Sequence, residues 1–466
     1  MDMTSQLDKL QVTITDIIDQ LKDNCNVNVA CDEIRNALTE LAETILRPVI
    51  EEIICSPVIL PVLKIGAGKL GLRFNGYRTT SIMLLSGEAI TIRSPYFAKA
   101  RPKKRKGRKP KKRKNGTGAH FGLDFLGFVG RCTILLGSAV VQAALLCPSY
   151  ELARKTLLSH AIKLDVKTIR RLVMSLGKRA IEHRGRLSLS ENDTVHGKTI
   201  LICIDGGRLR ERTAKRGRKC KGQKRQGFHS NWREPLQFVI QTINEEGVAC
   251  KDHLPIYDAT MGKIDFAFDL LEECLSNMNI SNADHVIFCG DGARSYWKRI
   301  EPMMKRLGVV DHHEVIDYTH AKQNLNEIIG MLPKKLTSKE VSKITEEWKN
   351  LLWQGNVDEI KVQIKKQISY PKKREKALAK FENYFNRNRE RVQYASMQEQ
   401  NLPIGSGCVE SAIRRVVNLR MKSPGIFWKK ETAEHMLFLR SQLLSGRWNI
   451  MISNMHKETR RLSVCN

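Results

Sequence analysis

The chain has 466 residues, 79 Lys plus Arg against 49 Asp plus Glu, and a formal net charge of +30. That length suits about three domains of ordinary size, so core burial is not limiting. The charge favours a polyanion, and nucleic acid ahead of a membrane, because neither a basic amphipathic helix nor an apolar run of about 20 residues stands out. Twelve cysteines without a CxxC pair, among them Cys203, Cys274 and Cys289 inside apolar runs, read as small buried hydrophobes of a reducing compartment. The first residues carry no secretory pattern, so the expected location is cytoplasmic.

Residues 1–65 form a helical N-terminal module, with apolar positions such as Leu7, Leu10, Ile14 and Ile34, Leu38, Leu41 at helical spacing. A plain helical hairpin and a dimerisation module are both open there. Residues 66–98 predict a small β-hairpin, Thr79 to Leu85 and Ala89 to Arg93 around a Ser-Gly-Glu turn. Next comes a basic flexible linker over 99–118, in which twelve of the sixteen residues from Lys99 to Lys114 are Lys or Arg. Such a run cannot bury itself; it is either simply solvated or, through Lys103, Lys104, Arg105, Lys111, Lys112 and Arg113, a DNA-binding segment with steep salt dependence.

Residues 119–190 predict a helical domain. Helices from Pro148 to Ala161 and from Val166 to Val173, joined by a tight turn, have the build of a helix-turn-helix. In that reading Lys167, Arg170 and Arg171 face DNA; in the plain one they are a solvated helix surface. The next segment alternates strands and helices. Leu201-Ile-Cys-Ile is an apolar strand ending at Asp205-Gly-Gly-Arg208, a basic loop runs from Arg208 to Arg225, and two strands follow at Leu236–Ile243 and Val248–Tyr257. A helix over 266–278, a strand over 285–289 ending near Asp291, a helix over 295–307 and a strand over 313–317 complete an α/β plan with a mixed sheet. Residues 196–330 plus 401–445 are the core, 331–400 an all-helical insertion, and 446–466 a C-terminal tail.

Two aspartates at strand ends and Glu410 opening an amphipathic run supply the carboxylates that two-metal phosphoryl chemistry requires. Magnesium takes oxygen ligands and keeps several waters, so two or three carboxylates suffice, with manganese able to substitute. Each also has a plain reading: Asp205 and Asp291 as turn formers, Glu410 as a charge complementing a helix dipole. Around them, Arg294 is close enough in sequence to Asp291 to meet a phosphate, while Arg208, Arg210 and Arg420 are candidate DNA contacts; Trp428 reads either as a base-stacking residue or as core.

The segments Ile204-Asp205-Gly-Gly-Arg208, Cys289-Gly-Asp291-Gly-Ala-Arg294 and Ile404-Gly-Ser-Gly-Cys-Val-Glu410, followed by Asn418-Leu-Arg420 and Trp428, resemble bacterial insertion-sequence transposases of the DDE class, the Kra-type family in particular. The resemblance covers most of residues 70–445. It implies a ribonuclease-H-like core interrupted by a helical insertion, with Asp205, Asp291 and Glu410 as catalytic and metal-binding triad holding two Mg2+ ions. It also implies double-stranded DNA partners (element ends and target), a homodimer or larger synaptic assembly, nucleoid association, and support from Asp317-Tyr-Thr-His320 at the last strand's end. A noncatalytic or decayed DNA-binding regulator, and a metal-dependent nuclease that cuts without joining, are the alternatives.

Overall fold

A computed structural model of the chain describes residues 45–84, 89–99, 118–160, 162–217, 222 and 226–464, with residues 8, 11, 12, 14–16, 18 and 19. The described residues before position 20 are helical, as are residues 45–55; the rest of the expected N-terminal hairpin lies outside the described residues. The chain divides into two compact units, residues 1–179 with 453–466, and residues 180–452.

In the first unit, β1 (Leu72–Met83) and β2 (Ala89–Lys99) pair antiparallel along nearly their whole length. The predicted hairpin is therefore present and longer at its open end. β3 (Gly118–Ala119) pairs with β2 through Phe97↔Ala119 and Ala98↔Gly118. The basic run thus departs from and returns to neighbouring strands of one sheet, so its two ends are anchored together rather than joining separate domains. The six lysines and arginines singled out in it lie outside the described residues. The apolar face of this sheet is covered by Leu63, Ala67, Phe97 and Phe121 in one cluster and Ile54, Ile82, Ile92 and Leu123 in another.

Three helices follow, Ile134–Leu146, Tyr150–Leu158 and Val166–Ile181. The last two match the expected pair, the second extending beyond its predicted end. Ser149 caps the Tyr150 helix by accepting from the Leu152 amide (3.0 Å), and Asp165 accepts from the Thr168 amide (2.5 Å) at the start of the Val166 helix. The first of the three was not delineated in the sequence, because Ile134–Leu146 is apolar nearly all round and shows no stripe.

The second unit is built on a mixed five-stranded sheet of order β10-β9-β4-β7-β8. Its strands are β4 (Thr199–Gly206), β7 (Leu236–Ile243), β8 (Ile256–Thr260), β9 (His285–Gly290) and β10 (His313–Ile316). β4, β7 and β8 pair antiparallel, while β9 and β10 add parallel to β4 on its other side. Between β4 and β7 the chain makes a separate two-stranded ribbon, β5 (Leu209–Ala214) with β6 (Phe228–Arg233). The first part of the loop expected over 208–225, Leu209–Ala214, is thus one arm of a hairpin. The strand expected at Val248–Tyr257 is also displaced: only Ala249 bridges back to Ile243, and the true strand starts at Ile256.

Helices Ile264–Asn277 and Arg294–Arg306 fall where the apolar spacing places them. Residues 318–399 hold helices and no strand, with Tyr318–Ile329, Ser338–Trp353, Val357–Gln367, Pro371–Tyr384 and Tyr394–Glu399 packing around Trp348, Phe381, Phe385 and Tyr394, all fully buried. The sheet is locked to what surrounds it by a buried ion cluster. Arg184 donates to both oxygens of Asp258 on β8 (2.6 Å each) and to Glu434 of the Lys430–Leu444 helix, whose other bonds come from Thr260 (2.7 Å) and the Met261 amide (2.6 Å). No helix among the described residues is long and apolar enough to cross a membrane.

Candidate active site

β4 is apolar from Ile200 to Ile204 because it lies in the sheet's centre, covered on both faces. The parallel register pairs Cys203 with Cys289, so two residues further on Asp205 and Asp291 emerge side by side at the carboxyl ends of adjacent strands. Ligand and catalytic groups in open α/β sheets gather at such ends. Asp291 sits in a tight turn, its Oδ1 accepting from the Ala293 amide (2.9 Å), with Gly292 at φ +85°. Arg387 from the helical insertion donates to the Gly292 carbonyl (3.2 Å) and braces the same turn.

Glu410 comes from the Gly407–Ile413 helix. It is exposed, and its Oε1 lies 3.1 Å from His320 Nε2. The three carboxylates share one electrostatic neighbourhood. Burial above all holds the Asp205 carboxyl above its usual range, the charges of Asp291 and Glu410 push the same way, and the Gly206 amide and His320 oppose them.

Asp317 is the joint of this arrangement. It is 3% exposed, and its amide donates to the Gly290 carbonyl at the end of β9 (2.8 Å). Its Oδ1 caps the Tyr318–Ile329 helix by accepting from the His320 amide (2.9 Å), and its Oδ2 accepts from the Ser406 amide (2.5 Å) and hydroxyl (2.9 Å). The next residue, Tyr318, donates to the Ile404 carbonyl (3.0 Å). One buried carboxylate therefore fixes the backbone of His320 and the chain leading into the Glu410 helix against the strand that presents Asp291. Both its oxygens are engaged, which makes it a positioning residue.

Beyond Glu410 the helix widens into a π segment, Arg414–Asn418. Such a bulge frees carbonyls from the α ladder. Arg440, 3% exposed, meets two of them, donating from Nε to Val416 (2.7 Å) and from its terminal nitrogen to Arg415. Burial first, then the Arg420 guanidinium, lowers Arg440 to about 10, so it remains a cation at neutral pH.

The other predicted residues divide clearly. Arg294 is exposed at the first turn of its helix, and Arg208 is exposed three residues after Asp205 in the chain. Lys167, Arg170 and Arg171 are exposed on the Val166–Ile181 helix in the first unit. Arg210 is half-buried and donates to the Ser423 carbonyl (3.1 Å). Arg420 requires a correction: it is 4% exposed with its guanidinium over the Trp428 ring (5.5 Å to the centroid), so it supports the interior instead of presenting charge to DNA. Trp428 is core, 5% exposed, with its indole N–H donating to the Met421 carbonyl (3.0 Å).

Three neighbours of the triad escaped the sequence reading. Glu234 lies against Gly206, where an added Cβ would come 2.1 Å from its Oε1. Tyr296 and Tyr384 are driven upward by burial first and by Asp291 next, which places both phenols beside the site. Glu234, immediately before Pro235 and β7, carried the only usable signal: an acid at a strand start that pairs with the end of β4. Asp205, Asp291 and Glu410 each also follow a free cysteine by two positions, Cys203 and Cys289 buried and Cys408 half-buried.

A scan against protein-family models and a search of curated proteins gave no match. Among the described residues no group of three or more His, Cys, Asp or Glu side chains is gathered closely enough to hold a metal ion. The donors that share the site are nonetheless hard carboxylate oxygens, the type magnesium takes, and the charges of Asp291 and Glu410 bear on Asp205. The donor chemistry fits such an ion.

Proposed function

We propose that the protein is a DNA transposase of the DDE class, which cleaves the ends of its element and joins the freed 3′-hydroxyls to target DNA. The observation that carries this reading is the emergence of Asp205 and Asp291 from adjacent parallel strands within the field of Glu410. A mixed sheet with antiparallel strands on one side, parallel strands on the other and a helical segment before Glu410 supports a ribonuclease-H-like core.

In this reading Asp205, Asp291 and Glu410 would hold two Mg2+ ions, with Mn2+ able to substitute. Bound there, the ions supply activation of the attacking oxygen and neutralisation of charge on the phosphodiester. The chain's own groups do the rest. Asp317 sets the spacing between the β9 end and the Glu410 helix, His320 orients the Glu410 carboxylate, and Arg294 and Arg208 present positive charge where a phosphate would lie. The helix pair ending in Val166–Ile181 would act as a helix-turn-helix, with Lys167, Arg170 and Arg171 against DNA and the 99–118 run adding sequence-independent affinity. Both ends of an element must be held at once, so the working form is a dimer or a larger synapse.

The test is a strand-transfer assay with purified protein, labelled DNA from both flanks of its gene, a target plasmid and Mg2+, run beside Asp205→Asn. Joined product from the wild type alone is expected. Nicking without joining would reduce the function to a nuclease, and salt-sensitive binding without chemistry in Mg2+ or Mn2+ would leave only a DNA-binding protein.

A further inference from the structure

The β5–β6 hairpin begins at Leu209, four residues after Asp205 on β4, and the chain rejoins the sheet at Leu236, so it stands at the edge of the carboxylate site. Every residue of β6 is exposed, including Phe228 at 40% and Trp232 at 55%. The pairs Arg210↔Trp232, Arg212↔Ser230 and Ala214↔Phe228 put these side chains on one face. Leu209 and Glu211, on the other face, are the buried ones.

On the outer face rings and guanidinium groups alternate. Arg210 lies over Phe427 (4.6 Å) and Trp232 (5.6 Å), Arg212 lies over Phe228 (5.9 Å), and the Phe228 and Phe427 rings are 5.1 Å apart. The single acid between Arg208 and Arg233 is Glu211, and Arg233 takes it on the opposite face (2.6 Å). Among the described residues neither Arg210 nor Arg212 meets a carboxylate, and Arg208, Lys215 and Arg216 add exposed positive charge.

A fully paired duplex can neutralise this charge but offers the rings little, since its base faces are covered by one another. Unpaired bases offer both a phosphate backbone and open π-faces, which aromatic residues interleaved with arginines bind with little regard to sequence. We propose that this face binds a stretch of DNA with unpaired bases beside the scissile phosphate, Trp232 and Phe228 stacking on bases while Arg208, Arg212, Lys215 and Arg216 hold phosphates. The inference rests on the DNA-processing reading for the identity of its ligand. It adds that the substrate is locally opened where it meets the carboxylates.

The full chain, Trp232→Ala and Phe228→Ala are titrated against two labelled DNA duplexes of one sequence, one fully paired and one with a short central unpaired stretch. Cleavage in Mg2+ is followed in the same samples. The wild type is expected to prefer the opened duplex by about tenfold, the size of one or two stacking contacts. Trp232→Ala should lose most of that preference and keep its affinity for paired DNA within about twofold. Equal wild-type affinities, a preference that survives both substitutions, or an equal loss on both duplexes would overturn the inference while leaving cleavage to speak for the enzyme. A Trp232-dependent preference in a protein that never cuts would uphold the inference and sink the transposase reading; no binding to either duplex would sink both.

Discussion

β6 and β7 are consecutive strands of eight residues or fewer, two residues apart in the chain, and share little beyond their extended backbone. β7 is buried over Leu236–Ile240 between β4 and β8, and its side chains hold the strand that presents Asp205. β6 has no buried residue, pairs with one neighbour only, and spends its largest side chains on the surface. A two-stranded ribbon gains little from its own pairing in water. Here it is tied down at its base, where the Trp428 amide donates to the Arg210 carbonyl (2.9 Å) and the Arg212 amide to the Trp428 carbonyl (2.8 Å). The difference separates two uses of a strand: one fixes the strand that carries a candidate carboxylate by burial, and the other keeps rings and charges outside for something to meet.

That contrast can be broken first on the buried side. Arg184→Ala strands Asp258 and Glu434 without their cation, and removing one member of a buried ion cluster costs about 3–5 kcal/mol. Denaturant unfolding of the 180–452 unit should show that loss; a change under about 1 kcal/mol would mean that the cluster does not hold β8 in place. Trp232→Ala on the exposed strand should by comparison leave the transition within about 0.5 kcal/mol of wild type.

A smaller effect is expected where the two regions meet the chemistry. Asp317→Ala frees Ser406 and the His320 amide, so cleavage should fall about 10–100-fold, as for groups that orient metal ligands. Half-maximal activity should need more Mg2+, and DNA affinity should stay unchanged. A rate loss with no shift in Mg2+ dependence would assign Asp317 a purely structural part.

The smallest expected effect is on stability. Because burial and like charge raise the Asp205 carboxyl in the folded state, its contribution to folding is most favourable below its unfolded pKa and is lost as pH rises through the folded value. At neutral pH the wild type carries that cost, so Asp205→Asn should melt about 1–2 °C higher at pH 7, a gain reduced by solvent screening and fading on acidification. A lower melting temperature at pH 7 would contradict the crowding of charge at the site.

The sequence disclosed what burial writes into it. The apolar runs ending at Asp205 and near Asp291 and the helices over 264–277 and 294–306 were legible because a central parallel strand and an amphipathic helix both require characteristic patterns. β5 and β6 were not, since an exposed ribbon has no apolar alternation and Arg208 to Arg225 reads as a basic loop that tracks DNA, with no strand in it. Arg420 and Arg440 were equally hidden: the type of residue suggests the surface, and only the carbonyls freed by the π segment and the ring of Trp428 explain why two guanidinium groups are buried. Glu410 was legible as the acid opening an amphipathic run, whereas its contact with His320 depends on Asp317 joining segments about ninety residues apart.

The most direct measurement is Mg2+-dependent cleavage of flanking DNA by the wild type and by Asp291→Asn, with DNA binding recorded in the same samples. Cleavage should fall by about 10²–10³-fold or more, the scale for removing a group that stabilises charge in the transition state, with affinity unchanged within about twofold. Cleavage by Asp291→Asn near the wild-type rate, or binding lost in step with cleavage, would contradict a single carboxylate site at the ends of β4 and β9.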